Sequence, residues 1–118
     1  MREDIIFAGF GGQGIMFMGK ILSHAAMNEE KSVTWMPSYG AEVRGGTAHS
    51  MVIISDSPIS SPIVKEPSIC VAMNKPSFDK YEGSVRSKGI MVINTSLVEV
   101  VTKRKDISVL EVPATPST

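Results

Sequence analysis

Short apolar runs separated by turn residues recur along the chain and predict a strand-rich fold. Six such runs lie at residues 5–8, 32–36, 50–55, 69–73, 90–94 and 107–112. The first is continuous rather than alternating, which is typical of a strand buried on both faces of a parallel sheet. Glycine, proline and asparagine lie between the runs and mark turns. We therefore expect six strands.

Two other stretches have apolar residues at helical spacing. The first covers residues 15–28, and its expected apolar face comprises Ile15, Met18, Ile21 or Leu22, and Ala25. The second opens at residues 74–76, where proline occupies the first turn, and its expected apolar face comprises Phe78, Tyr81 and Val85. Gly83 interrupts this second pattern and weakens the helix.

The order of these elements predicts an α/β fold. Strand, helix and strand at the N-terminus form a βαβ unit. We expect a three-layer Rossmann-like domain with a mainly parallel sheet, one domain over residues 1–118. Two helices leave one or both faces of six strands under-covered, because buried parallel strands need helices on both faces. Either a partner covers that surface or the natural sequence continues past Thr118.

Composition and charge narrow the classes of function. Apolar residues make up 42% of the 118 residues, which is enough for a core. Twelve basic residues balance 12 acidic ones, so neither nucleic acid nor a membrane is expected as a partner. No apolar stretch approaches the ~20 residues that span a bilayer.

The residues that commonly ligate metals are few. The single cysteine, Cys70, lies in an apolar run, and we interpret it as a small buried hydrophobe. One cysteine excludes an internal disulfide and any cysteine-ligated cluster or zinc site built by this chain alone, and it fits a cytoplasmic protein. His24 and His49 have no partner at metal spacing, so we expect them to be structural or solvated, with no metal site.

A glycine-rich turn follows the first strand. Gly9, Gly11 and Gly14 have the G-x-G-x-x-G spacing in a strand–turn–helix context. A dinucleotide site also needs an acidic residue near the end of the second strand, and residues 35–38 contain none. No Gly-Lys-Ser/Thr closes the loop as in a Walker A motif. The glycines thus either cradle a phosphate or carboxylate, or only permit tight packing of the helix on the strand. Gln13 could cap a backbone N–H or present its amide to a ligand.

A second polar, glycine-rich loop follows the second strand, at residues 37–47. Loops beyond the carboxyl ends of parallel strands line the ligand crevice of open α/β sheets, so both loops are expected at one edge. Arg44 could clamp a carboxylate or phosphate with two hydrogen bonds. Alternatively, a Glu42–Arg44 or intersubunit ion pair only orders the loop.

Together these motifs resemble a known family. They read Phe-Ala-Gly-Phe-Gly-Gly-Gln-Gly-Ile at 7–15, Pro-Ser-Tyr-Gly-Ala-Glu-Val-Arg-Gly-Gly at 37–46, Ile-Ile-Ser at 53–55, Ser-Pro-Ile-Val at 61–64 and Ala-Met-Asn at 72–74. The chain resembles, over essentially its whole length, the gamma subunit of the 2-oxoacid:ferredoxin (acceptor) oxidoreductases. In fused pyruvate:ferredoxin oxidoreductases this unit is one internal domain. Residues 16–20 and 72–77 are most similar to the 2-oxoglutarate type.

The resemblance implies oxidative decarboxylation of a 2-oxoacid with coenzyme A, giving acyl-CoA, carbon dioxide and reduced ferredoxin. Thiamine diphosphate, Mg and 4Fe–4S clusters are then expected in partner subunits, with none bound by this chain alone. The implied partners are alpha and beta subunits, a candidate ferredoxin-like delta subunit, and ferredoxin as electron acceptor. Family gamma subunits continue beyond a segment like residues 113–115, so the C-terminal part of the family domain is expected to be missing.

The resemblance implies a chain with no catalytic residue of its own, whose two loops face partner subunits or coenzyme A. The expected ligand- or interface-loop residues are Gly9, Gly11, Gly12, Gln13, Gly14, Tyr39, Glu42, Arg44, Gly45 and Gly46. The alternative is a stand-alone nucleotide- or coenzyme A-binding Rossmann-like module that uses the glycine loop.

Overall fold

The computed structural model describes residues 2–10, 14–38, 47–61, 63–94 and 105–112. Its elements are β1 (Arg2–Phe10), α1 (Ile15–Asn28), β2 (Ser32–Ser38), β3 (Thr47–Ser55), β4 (Ile69–Ala72), α2 (Lys75–Tyr81), a 3₁₀ turn (Glu82–Ser84), β5 (Ile90–Asn94) and β6 (Ser108–Val112). The six predicted strands and both predicted helices are present. β1 and β3 extend beyond their apolar runs because they pair with each other along their whole length, from Arg2 opposite Ser55 to Phe10 opposite Thr47.

The strands form one sheet in the order β2-β3-β1-β4-β5-β6. β1, β4, β5 and β6 are mutually parallel, whereas β3 is antiparallel to both of its neighbours, β1 and β2. β1 and β2 therefore point the same way, and the expected mainly parallel α/β sheet is confirmed. Antiparallel strands need no crossover helix, so β3 can follow β2 directly and lie between the two parallel strands of the N-terminal βαβ unit.

Several of the α1 residues that pack against the sheet are small. Its buried positions are Ile15, Gly19, Ser23 and Ala26. A Cβ at position 19 would lie 2.8 Å from Nε1 of Trp35 and closer still to Oγ of Ser50, so only glycine fits this close approach. The hydroxyl of Ser23 donates to the Gly19 carbonyl oxygen at 2.8 Å, which satisfies it inside the interface.

The buried face of α1 therefore differs from the predicted one. Ile15 is buried as expected and Met18 and Leu22 are half-buried, but Ile21 and Ala25 are exposed. The expectation assigned the larger apolar residues to the core. The buried row instead includes Gly19, Ser23 and Ala26, and the absence of a side chain at Gly19 permits the close approach of α1 to Trp35 and Ser50.

The opposite face of the sheet carries the largest core cluster, which α2 covers. Phe78 and Tyr81 of α2 are buried there against Ile6 and Cys70, as predicted. Val85 is buried in the same cluster but, contrary to the prediction, lies beyond the helix in extended backbone. The helix ends at Tyr81 and gives way to the 3₁₀ turn that contains Gly83. Cys70 has no exposed surface, which confirms its interpretation as a small core residue.

The face that α1 covers over β1–β3 continues without a helix over β4–β6, within the described part of the chain. The register aligns Phe7, Val71, Val92 and Leu110 across four strands on that face. The first three are half-buried and Leu110 is 55% exposed. Among the described elements, the sheet is thus under-covered on one face and in one half.

Candidate functional site at the carboxyl edge of the sheet

The strand ends from which the two predicted loops depart lie at one edge of the sheet. β1 and β2 end there and the antiparallel β3 begins there, with Phe10 opposite Thr47 and Ser38 opposite His49. The carboxyl ends of β4, β5 and β6 share the same edge because these strands are parallel to β1. Crevices of open α/β sheets form at such an edge, so its polar groups are the candidates for ligand contact.

Gly14 begins α1 in a conformation that favours glycine. Its φ is 75°, in the left-handed region, and its carbonyl oxygen accepts from the Met18 N–H at 3.0 Å. Among the described residues, no side chain caps this helix start and no acid stands in its first turn. The first N–H groups of α1 carry a partial positive charge and have no side-chain acceptor among the described residues.

The surroundings of Gly14 bear on the two interpretations of the glycine turn. No described atom lies within 4 Å of the place where a Cβ at position 14 would stand. Gly14 is therefore needed for its backbone angle rather than for close packing, and the anion cradle stays a prediction. Gly9 is buried in β1 opposite Ala48, where it belongs to the strand ladder.

The other residues predicted for the site lie outside the described residues. They are Gly11, Gly12 and Gln13 of the first loop, and Tyr39, Glu42, Arg44, Gly45 and Gly46 of the second. Their contacts with a ligand or a partner stay predictions. The described strand ends bring the two loops to one edge, as the sequence predicted.

Asn74 and Ser77 add two buried polar groups at the same edge that the sequence did not reveal. Asn74 follows β4 and caps α2, and its Oδ1 accepts from the Ser77 N–H at 2.9 Å. Asn74 Nδ2 and Ser77 Oγ are both buried, and neither has a hydrogen-bond partner among the described residues. An unpaired buried donor costs about 1–3 kcal/mol, so a pair of them is a candidate contact for a ligand oxygen. The sequence Asn-Lys-Pro at the start of a helix predicts that Asn74 caps the helix, but it does not predict the two donors without an acceptor.

Asn94 continues this polar edge at the end of β5. It is buried, with 1% of its surface exposed. His49 lies at the start of β3 and packs edge-on against the ring of Tyr81 with 6.4 Å between the ring centroids. His24 is exposed on α1, and the absence of a ligand role for both histidines stays a prediction.

The thiol of Cys70 is not activated as a nucleophile. Burial raises the pKa of the Cys70 thiol from 9.0 to about 12, so it stays protonated at neutral pH. Residues 2–10, 14–38, 47–61, 63–94 and 105–112 contain no group of three or more His, Cys, Asp or Glu side chains placed to hold a metal ion. Neither α1 nor α2 is long and apolar enough to cross a bilayer.

Comparison with known proteins identifies the family. The family model for pyruvate ferredoxin/flavodoxin oxidoreductase matches residues 4–117. The chain therefore belongs to the pyruvate ferredoxin/flavodoxin oxidoreductase family, and the resemblance drawn from its motifs is confirmed.

Two curated relatives illustrate the range of named substrates. The 2-oxoglutarate synthase subunit KorC of Methanocaldococcus jannaschii is 38% identical over 117 residues, which is 98% of this chain and 63% of that protein. The ketoisovalerate oxidoreductase subunit VorA of Methanothermobacter marburgensis is 42% identical over 107 residues, 91% of this chain and 22% of that protein. The chain thus spans less than two thirds of either relative.

Solved structures agree with the fold. The keto/oxoacid ferredoxin oxidoreductase gamma subunit of Geobacter sulfurreducens superposes with a TM-score of 0.81 at 29% identity, covering 94% of this chain and 60% of that one. A 2-oxoglutarate:ferredoxin oxidoreductase from Magnetococcus marinus superposes with a TM-score of 0.84 at 18% identity, covering 95% of this chain and 20% of that one, a likeness of fold.

Proposed function

We propose that the chain is the gamma-type part of a cytoplasmic 2-oxoacid:ferredoxin oxidoreductase. The assembled enzyme decarboxylates a 2-oxoacid with coenzyme A to acyl-CoA and carbon dioxide, and reduces ferredoxin. The observation that carries the proposal is the family match over residues 4–117 together with relatives that are named as subunits of such enzymes. The protein would act only in complex with alpha and beta subunits and a ferredoxin-like delta subunit.

The cofactors of this chemistry are assigned to the companion subunits. A 4Fe–4S cluster is held by four cysteine thiolates, and this sequence has one cysteine, which is buried and protonated. The described side chains form no carboxylate group suited to a magnesium ion. These two observations support placing the clusters and Mg in the companion subunits, and we place thiamine diphosphate there with them.

Within the complex, the carboxyl edge is proposed to face coenzyme A or the 2-oxoacid. Gly14 has no side chain that would block an anion at the start of α1. Asn74 Nδ2 and Ser77 Oγ are donors that have no acceptor among the described residues. Both ligands carry carboxylate, phosphate or carbonyl oxygens. Arg44 of the second loop would add a charged clamp.

The experiment is reconstitution with the thiamine-dependent and ferredoxin-like subunits encoded in the same genome. We expect coenzyme A-dependent reduction of ferredoxin or viologen dye only when this chain is present. Comparing 2-oxoglutarate, pyruvate and 2-ketoisovalerate assigns the substrate, and we propose 2-oxoglutarate. A complex that is fully active without this chain would refute the proposal, and Arg44→Ala is expected to lower the activity.

A stand-alone nucleotide- or coenzyme A-binding module is the second candidate. The uncapped start of α1 at Gly14 favours it, because this geometry could bind an anion without partners. Calorimetric titration of the isolated chain with NAD(H), FAD and coenzyme A separates the two. We expect no tight NAD(H) binding, since no acid follows β2 at residues 35–38. Tight NAD(H) binding would favour the module instead.

A further inference from the structure

The outward face of α1 has a groove that the core does not use. The groove has a volume of about 440 Å³ and is lined by Phe17, Lys20, Ile21, His24, Ala25 and Asn28. All six side chains are exposed, and Phe17 and Ile21 retain 65% and 52% of their surface. These residues lie opposite the sheet-facing row that contains Gly19 and Ser23. Two large apolar side chains facing water on one helix indicate a surface that another protein element covers.

The groove has the shape that receives a second helix. Residues four apart on a helix form ridges, and the groove between adjacent ridges accepts a ridge of a partner helix, at a crossing angle of about 50°. One ridge here is apolar and comprises Phe17, Ile21 and Ala25. The other is polar and comprises Lys20, His24 and Asn28. A helix is therefore the element that fits, with its apolar residues against the first ridge.

The charge of the second ridge specifies the chemistry of the occupant. Lys20 is exposed, and within the part of the chain that the structure describes it forms no ion pair. The two ridges contain no carboxylate. A second copy of the chain would therefore bring no acid to Lys20 from this face. A different chain with an Asp or Glu beside its apolar residues complements both ridges.

We propose that this outward face of α1, the α1 groove, docks an amphipathic helix of a companion subunit. That helix places apolar side chains against Phe17 and Ile21, and a carboxylate against Lys20. The inference rests on the proposed function, because it takes the partner to be a subunit of the same oxidoreductase. It adds the contact surface, the type of element and its charge.

The first test measures assembly with purified companion subunits. Phe17→Asp and Ile21→Asp each place a charge in the apolar ridge, and we expect them to weaken assembly about tenfold or more. Ile63→Asp is the matched control, since Ile63 is equally exposed, at 61%, and lies outside the groove. Circular dichroism of each variant should match the wild type, because these side chains do not pack in the core. Wild-type affinity of the folded ridge variants would overturn the inference.

The second test identifies the occupant. Carbodiimide should couple the Lys20 amine to an Asp or Glu in a helix of a companion subunit, as mapped by mass spectrometry. Lys20→Arg keeps the charge but cannot form this amide, so it should assemble normally and lose the cross-link. A cross-link between two copies of this chain, or to a non-helical segment, would overturn the inference. Failure of the wild type to assemble would instead refute the proposed function, so the two failures are distinguishable.

Discussion

The indole Nε1 of Trp35 donates a 2.7 Å hydrogen bond to Oγ of Ser50 directly beneath Gly19 of α1. The bond joins neighbouring strands, β2 and β3, on the face that α1 covers. It satisfies a half-buried indole and a fully buried hydroxyl at once. Because Gly19 has no side chain, both groups fit beneath α1. The close approach of α1 to the sheet and the hydrogen bond therefore both require glycine at this position.

Gly19→Ala is expected to destabilise the protein. In a free helix this change is stabilising by about 1 kcal/mol, but here the new methyl would force Ser50 out of its hydrogen bond or lift α1. We expect a loss of about 1–3 kcal/mol in the free energy of unfolding, measured by urea denaturation. Gly83→Ala is the control, since no described atom lies near its would-be Cβ, and it should be neutral or slightly stabilising. Equal stability of Gly19→Ala and wild type would refute the packing argument.

Asn74 is expected to show separate contributions to stability and ligand contact. Asn74→Ala removes the cap of α2 and should cost about 1 kcal/mol of unfolding free energy. Asn74→Ser keeps a capping oxygen and should recover most of that loss, while removing the unpartnered Nδ2. If Nδ2 contacts a ligand, the serine variant is stable but its assembled enzyme has a higher KM for coenzyme A or 2-oxoacid. An alanine variant as stable as wild type would contradict the cap.

Cys70 should be inert toward thiol reagents in the folded protein. Burial raises the pKa of its thiol from 9.0 to about 12, so almost no thiolate exists at pH 8. We expect iodoacetamide labelling to proceed only through unfolding, at a rate that rises with urea. Fast labelling in native buffer would place the thiol at the surface.

The same shift predicts a dependence of stability on alkaline pH. The folded pKa lies above the unfolded value, so the contribution of the Cys70 thiol is fully present below pH 9 and is lost as the pH rises toward about 12. Cys70→Ala lacks this thiol. The difference in unfolding free energy between wild type and Cys70→Ala should therefore shrink over that range, as urea titrations at several pH values can measure.

The turn that follows β3 should respond to acid. Lys31 donates a hydrogen bond to Asp56 and lowers the pKa of that carboxyl below its usual 3.8. The pair therefore stabilises the protein above pH 3.8, and this contribution is lost as the pH falls through the lower folded pKa. The free energies of unfolding of Asp56→Asn and wild type should therefore converge as the pH falls through that acidic range. Asp56 is exposed and Lys31 half-buried, so solvent reaches the pair and 1 M salt should reduce the stability difference between Asp56→Asn and wild type at neutral pH. A difference unchanged by salt would contradict an ionic origin.

The sequence alone determined the number, type and order of the described elements. Each strand has its own apolar run, and each helix has its own start: Gly14 for α1, and Asn74 followed by Pro76 for α2. These are local signals, because turn chemistry and capping act within a few residues. The family likewise followed from two motifs at residues 7–15 and 37–46.

Tertiary structure alone decided which surfaces are buried and which are left open. The period of α1 predicted an apolar face with Ile15, Met18, Ile21 or Leu22, and Ala25, but the positions buried against the sheet also include Gly19 and Ser23, because Gly19 permits a close approach to Ser50 and Trp35. Because that row of α1 faces the sheet, Phe17 and Ile21 lie on the outward face of the helix. The order of strands around β3 and the unpartnered donor of Asn74 likewise depend on neighbours distant in sequence. A residue's burial is set by what packs against it, which no local pattern specifies.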